Sequence, residues 1–478
     1  MCTGIIFTII LTRSLNPTEF GLWNLISSVI IYVLVIESII SYWSTREIAR
    51  NLESAKTAFL ASGMFSILGL FAYIVIAFLV GHQANVDQNV LLLGVVLVPV
   101  RFLNNTLTAI NLGWKPHTIT YATIAYGVSQ IFILVIMIRA IGVGVTSVIL
   151  AILIAYICSI VVLAISAKGK IKSHIKIEFL KKWLRLSWLP LYPGLVTVVS
   201  WLDFVIFSIM TGSVVGLAYW SVALASIVLI GNAGLISRAV YPKLLSGGNN
   251  EYLKQNITLV FYVSILFTAT VITFARAELF VLNPLYEIAV PIVILLAVEA
   301  FFNNLSNVFL SFLTGAENVD ADTKSSFRDY MKSKLFYLPT LRLIEYTVYM
   351  VSLFIVLLFF AQNTSQEQLL IYWAVIAVVT QVPVTIYLYV LVRKNFSLKL
   401  ETSNIVKYFL ISIGVFGSIY LLTDRLLQYE NNIFVFIPHL AIFVTLGITC
   451  YVGVTYLVDL RTRSLFKAVI KEIKGKNR

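Results

Sequence analysis

The chain has 478 residues, 59% of them hydrophobic and only 12% charged, with a mean hydropathy of +0.93. Soluble domains carry roughly 25% charged residues, so this composition excludes a water-soluble fold and places most of the chain in lipid. The net charge of +13 sits in short segments between apolar runs, without a nucleic-acid-binding motif, so basic loops of a membrane protein explain it better than a nucleic-acid partner.

A transmembrane helix needs about 20 mostly apolar residues. Thirteen runs meet that, near residues 21–42, 58–80, 89–112, 118–139, 143–165, 187–210, 214–237, 256–275, 288–314, 336–360, 369–392, 404–424 and 433–458. Residues 1–15 make a shorter segment ahead of them. The run at 21–42 reads as an ordinary second helix, so the expectation is a first helix whose true start lies upstream. Met1–Leu11 has neither a basic n-region nor a small-residue cleavage site, which argues against a signal peptide.

Numbering that short segment as span 1 and alternating the loops puts 30 of the 35 Lys and Arg residues on one side. The other side holds Arg13, Arg139, Arg276 and Arg425, and Arg101 lies within span 4. By the positive-inside rule this predicts fourteen spans with both termini cytoplasmic. Short internal matches support a repeat. Phe20-Gly21-Leu22 opens span 2 as Val215-Gly216-Leu217 opens span 8, and Arg101–Asn105 in span 4 matches Ala300–Asn304 in span 10. Tyr126-Gly127-Val128-Ser129 in span 5 likewise matches Tyr349-Met350-Val351-Ser352 in span 11. Partners six spans apart share orientation, as parallel repeats do. The expected fold is therefore all-α and polytopic, with two six-helix lobes and two extra C-terminal helices. Its boundaries are an N-lobe over 1–167, a basic cytoplasmic connector over 168–186, a C-lobe over 187–396, spans 13 and 14 over 397–460, and a basic tail over 461–478. Connector and tail read equally as amphipathic segments on anionic lipid and as ordinary basic loops.

Several motifs resemble a known family. Leu11-Thr12-Arg13-Ser14-Leu15-Asn16-Pro17-Thr18-Glu19-Phe20-Gly21-Leu22 is similar to the opening of polysaccharide flippases of the Wzx type, in the multidrug/oligosaccharidyl-lipid/polysaccharide (MOP) exporter superfamily. Leu180–Pro193 resembles that family's basic approach to span 7. Asp203 with Gly212, Gly216-Leu217 and Tyr219 resembles its next stretch, and Tyr241-Pro242-Lys243 its close to span 8. Thr12 and Asn16 replace the family's usual Ala and Gly. The resemblance implies a transporter that moves a lipid-linked oligosaccharide, with no enzyme activity.

The polar groups inside the spans carry the remaining chemistry. A charge in a membrane span is costly and faces protein or a water-filled cavity. Arg101, Asn104, Asn105, Thr108 and Asn111 fall mostly on one face of span 4, and Glu299, Asn303, Ser306 and Asn307 on one face of span 10. A guanidinium keeps its charge and chelates phosphate oxygens, which suits a diphosphate in transit. The expected substrate cavity is thus lined by Arg13, Arg101, Arg238, Asn104, Asn105 and Asn303, with Glu37, Asp203 and Glu299 as ion-coupling or charge-balancing acids. Bland readings stand beside these: Asp203 as a helix-to-helix hydrogen bond, Arg238 as a headgroup anchor, the Asn stripes as glue between helices. Arg342 and Glu345, three apart, read as a structural ion pair.

His82, His117, His174 and His439 are scattered, and Cys2, Cys158 and Cys450 lack metal or redox spacing, so no metal is expected. No nucleophile-elbow or phosphate-binding-loop motif is present, so no cofactor is expected and ATP bound by this chain would not supply the energy. The expected partners are lipid-linked oligosaccharide, anionic membrane lipids and H+ or Na+ as coupling ion, with the protein acting as a monomer in the cytoplasmic membrane. Two alternatives compete with flipping: a cation-coupled multidrug exporter of the same superfamily and, from another class, a membrane glycan polymerase or glycosyltransferase. The short outer loops disfavour the latter.

Overall fold

The computed structural model describes residues 2–172, 174–239, 250–315, 331–396, 402–460 and 462–463, apart from the side chains of residues 2, 236–239, 250–255 and 315. In chain order the helices are α1 Cys2–Ser14, α2 Pro17–Leu34, α3 Ser38–Ala49, α4 Ala55–Gln83, α5 Gln88–Leu93, α6 Leu97–Trp114, α7 His117–Ile141, α8 Val145–Ile171, α9 Ile177–Arg185, α10 Trp188–Thr211 and α11 Val215–Gly231. A 3-10 helix, Asn232–Ala239, leads on to α12 Asn250–Leu282, α13 Val290–Gly315, α14 Lys334–Phe360, α15 Gln366–Phe396, α16 Thr402–Leu426 and α17 Ile433–Val458.

Thirteen helical stretches are long and apolar enough to cross a membrane, and Thr3–Ser14 is a shorter apolar helix ahead of them. They overlap the thirteen expected spans one for one. The chain is an all-α polytopic membrane protein, with no strand among the described residues. Its lipid-facing surface shows directly on α4, where Met64, Ile67, Leu68, Phe71, Val75, Phe78 and Leu79 are all exposed. Only a hydrocarbon solvent makes such a surface stable.

Local chemistry explains where the helices begin and bend. The Asn16-Pro17-Thr18-Glu19 stretch that carries the family resemblance is a capping box. Asn16 Oδ1 accepts from the Glu19 backbone N–H at 2.9 Å, and the Asn16 N–H donates to Glu19 Oε2 at 3.1 Å, with Pro17 pre-set in the first turn. Span 2, expected as one helix, is two. At Val35–Glu37 the ladder tightens to three-residue bonds, Glu37 to Leu34 at 3.0 Å and Ser38 to Val35 at 3.1 Å. The Ser38 hydroxyl also donates to the Val35 carbonyl at 2.6 Å, competing with the helix for that acceptor. Span 4 likewise starts as the short α5 and a single 3-10 turn, Gly94–Val96, where Tyr73 Oη donates to the Leu91 carbonyl at 2.8 Å.

The chain forms two compact units, Met1–Ser221 with Leu341–Leu369, and Val222–Thr340 with Leu370–Arg478. In the first, α6 is central and packs on α3, α4 and α8, while α7 packs along α8. Ile40, Trp43, Leu107, Ile110, Leu163 and Trp183 fill part of its core. Gly21 in α2 sits so close to the Val214 carbonyl, just before α11, that any side chain there would collide with backbone. In the second unit α12 is central and packs on α13, α16 and α17. Tyr262 and Tyr451 pack with their ring centroids 5.3 Å apart, Tyr262 also meets Tyr408, and Tyr408 Oη donates to Asp459 Oδ2 at 2.7 Å.

Candidate functional site

The α6 stripe forms as the helical spacing requires. Arg101, Asn104, Asn105 and Thr108 share a half-buried face, while Phe102, Thr106, Leu107 and Ile110 are buried against the neighbouring helices. Asn111 departs from the expectation. It is fully buried and bonds the Leu107 and Leu163 carbonyls at 2.9 and 3.0 Å, so it joins α6 to α8.

Arg101 lies near the middle of its span. Its guanidinium carbon stands 5.5 Å from the centroid of the Tyr156 ring on α8, and that ring lies 4.8 Å from Tyr126 on α7. Its Nε is buried without a hydrogen-bond partner, and Arg101 makes no ion pair among the described residues. One turn on, Asn104 Oδ1 accepts from Ser159 Oγ at 2.8 Å. The sequence signals the arginine and the asparagine, but not the two tyrosines, which come from other helices.

Glu37 caps the break between α2 and α3 and is 3% exposed. Its carboxyl accepts from Thr106 Oγ1 on α6 at 3.0 Å and from Ser41 Oγ, with Asn105 as a further hydrogen-bonding neighbour. On the other side of the break Gly194 of α10 lies against Val35 and Ser38. The acid therefore ties the break to α6 through neutral donors. Asp203, on α10, is also buried; Tyr349 Oη of α14 donates to its Oδ2 at 2.9 Å, and the Phe204 N–H to its Oδ1 at 2.8 Å. Nearby, Tyr32 Oη donates to the Trp201 carbonyl. Neither acid pairs with a base among the described residues. Arg342 and Glu345 do form the expected buried ion pair, Nη1 to Oε2 at 2.7 Å. Arg13, at the end of α1, is half-buried.

In the second unit the α13 stripe starts at the half-buried Glu299 and runs through Asn303, Asn307 and Ser311 at four-residue spacing. Asn307 is exposed and donates to Asn303 Oδ1 at 3.4 Å. The adjacent face is structural: Asn304 donates to Ser264 at 2.7 Å, and Ser306 shares a bond with Thr385 at 2.7 Å and accepts from Gln381 at 3.0 Å. The side chain of Arg238 lies outside the described residues, as do residues 316–330 and most of the tail.

The connector contains the amphipathic α9, one face of which docks on protein. Trp183 is fully buried and donates Nε1–H to Glu47 Oε2 at 3.2 Å, while Lys182 Nζ meets Glu47 Oε1 at 3.1 Å. Lys176 adds a weaker contact to Glu53 at 3.4 Å. Ile175, Ile177 and Leu184 stay exposed beside Lys172, Lys181 and Arg185.

No family model and no curated protein matches the sequence. Solved structures do. The lipid II flippase MurJ in an inward closed conformation superposes over 97% of this chain and 99% of its own, with a TM-score of 0.62 at 16% identity. An inward-facing multidrug resistance MATE family transporter of the MOP superfamily gives a TM-score of 0.62 at 14% identity, covering 83% of this chain and 94% of its own. A MOP superfamily transporter from Pyrococcus furiosus, described by the reverse polarity of its binding pocket, gives 0.52 at 14% identity over the same shares of the two chains. At such identities the likeness is one of fold, and the fold of this chain is that of the MOP superfamily transporters.

Proposed function

We propose that this protein flips a polyisoprenyl-diphosphate-linked oligosaccharide across the cytoplasmic membrane by alternating access, for surface polysaccharide or glycoprotein glycan synthesis. One observation carries the reading: Arg101 lies near the middle of its span with no acid paired to it among the described residues. A bare charge there is strongly disfavoured, so its resting surroundings are completed by an anion or water that comes and goes. Arg13 and Arg238 are the further bases for the diphosphate, and Asn104, Asn105 and Asn303 offer amides to sugar hydroxyls. Glu37, Asp203 and Glu299 balance charge or bind the coupling ion, H+ or Na+. The chain acts as a monomeric transporter rather than an enzyme, with its termini and the connector on the cytoplasmic side, where exposed bases of α9 meet anionic lipid.

In cells carrying Arg13→Ala or Arg101→Ala, the expected outcome is loss of surface glycan with normal protein in the membrane. Complete, cytoplasm-facing lipid-linked oligosaccharide should accumulate. Normal surface glycan in both variants would refute the reading. The second reading, a cation-coupled multidrug exporter, draws on two buried acids without basic partners among the described residues, Glu37 and Asp203. A deletion strain that becomes drug-sensitive while keeping its surface glycan would favour it.

A further inference from the structure

We propose that Tyr156 and Tyr126 are positioning residues that hold Arg101 as an open chelating fork for a diphosphate, supporting the guanidinium on an aromatic face instead of against a carboxylate. The inference rests on the flippase reading and assigns a specificity role to two residues on helices other than that of the arginine. A guanidinium within about 6 Å of a ring centroid is attracted by the ring quadrupole, and the 5.5 Å separation to Tyr156 falls within that reach. Tyr126 backs Tyr156 at 4.8 Å, with the two planes 46° apart, so the supporting ring is itself fixed.

The choice of partner decides what the arginine can do. A carboxylate in place of the ring would cancel the charge and occupy the N–H groups of the fork. An aromatic face does neither. The Nε–H of Arg101 accordingly has no hydrogen-bond partner among the described residues. Asn104 lies one turn on along the same half-buried face, and with its Oδ1 taken by Ser159 its NH2 is the group it offers a ligand. Arg101 Nε, buried near the middle of its span without an acceptor among the described residues, suits a ligand made of phosphate oxygens.

The test uses the full chain in nanodiscs of phosphatidylcholine, with binding measured for undecaprenyl diphosphate, undecaprenyl monophosphate and inorganic pyrophosphate. Stacking of this kind is worth roughly 1–2 kcal/mol when desolvated, so Tyr156→Leu and Tyr126→Leu should weaken the diphosphate lipid about tenfold. They should also erase its preference over the monophosphate lipid, which a general loss of packing would not do. Tyr156→Phe and Tyr156→Trp keep a ring and should bind within about twofold of the parent, and they control for folding. Wild-type affinity in Tyr156→Leu, or a defect in Tyr156→Phe as large as in Tyr156→Leu, overturns the inference and leaves the flippase reading intact. Unchanged lipid binding in Arg101→Gln overturns both. Pyrophosphate displacing the diphosphate lipid marks the headgroup as the recognised part; failure to displace it overturns that assignment.

Discussion

At the scale of single residues, Arg342, Glu345, Glu37, Asp203 and Arg101 of the first unit fall into two kinds. Arg342 and Glu345 neutralise each other one turn apart on α14, 2.7 Å between Nη1 and Oε2. Among the described residues Glu37, Asp203 and Arg101 have neutral partners only, hydroxyls and amides for the acids and an aromatic ring for the base. The first kind is explained by stability of the fold, and the second is where the proposed substrate and coupling-ion roles fall. A consequence can be measured for the pair. Glu345→Ala removes the carboxylate that pairs with a buried guanidinium and should destabilise the protein by about 3–5 kcal/mol, whereas replacing both partners together with Met and Leu should cost much less. Thermal unfolding in detergent ranks the variants, and a double variant as unstable as the single one would show that the pair is not the unit of stability.

At the scale of elements, hydropathy over about 20 residues is enough to find the thirteen long apolar helices of the described residues, because lipid demands that length of apolar surface whatever the helices pack against. The capping box at Asn16 and the polar stripe on α6 are equally readable, since their partners lie within one or two turns. The break at Val35–Glu37 is not, because Ile36, Ile39 and Ile40 keep the run apolar through it, and the bond that ties it down comes from Thr106, 69 residues on. Tyr349 reaches Asp203 across 146 positions and Trp183 reaches Glu47 across 136, distances at which sequence carries no local signal. The connector shows the effect best. Its basic, amphipathic pattern predicts a helix at a membrane surface, but cannot show that one face is reserved for α3. Glu47→Ala removes the acceptor for a buried indole N–H and the partner of Lys182, at a cost of about 1–3 kcal/mol. The expected result is that α9 loosens while the spans remain, seen as faster proteolysis at Lys181 or Lys182 with unchanged helical circular dichroism. Unchanged proteolysis would mean that the apolar contacts of Phe179 and Trp183 hold α9 without the acid.

For the whole molecule, the distribution of charge makes a stronger statement than any single site. With the spans alternating, thirty of the 35 bases fall on one side, and the four on the other are scattered one to a loop or helix end. Inserting the chain the other way up would carry the connector and the tail across the bilayer against the membrane potential, at roughly 2.3 kcal/mol per elementary charge per 100 mV. The proposed orientation rests on that asymmetry, and with it the direction in which a substrate would be carried. In a chain whose three native cysteines are replaced by serine, single cysteines at the exposed positions Asn85 and Gln362 should react with an impermeant maleimide in intact cells. Cysteines at Arg50 and Lys172, equally exposed but on the base-rich side, should react only after the membrane is opened. The same pattern must hold on both sides of α9 if the halves share one orientation, since a repeat of six spans returns the chain to the side it left. Labelling of Asn85 without Gln362 would mean an odd number of crossings between them, and both the parallel repeat and the cytoplasmic placement of the tail would then have to be abandoned.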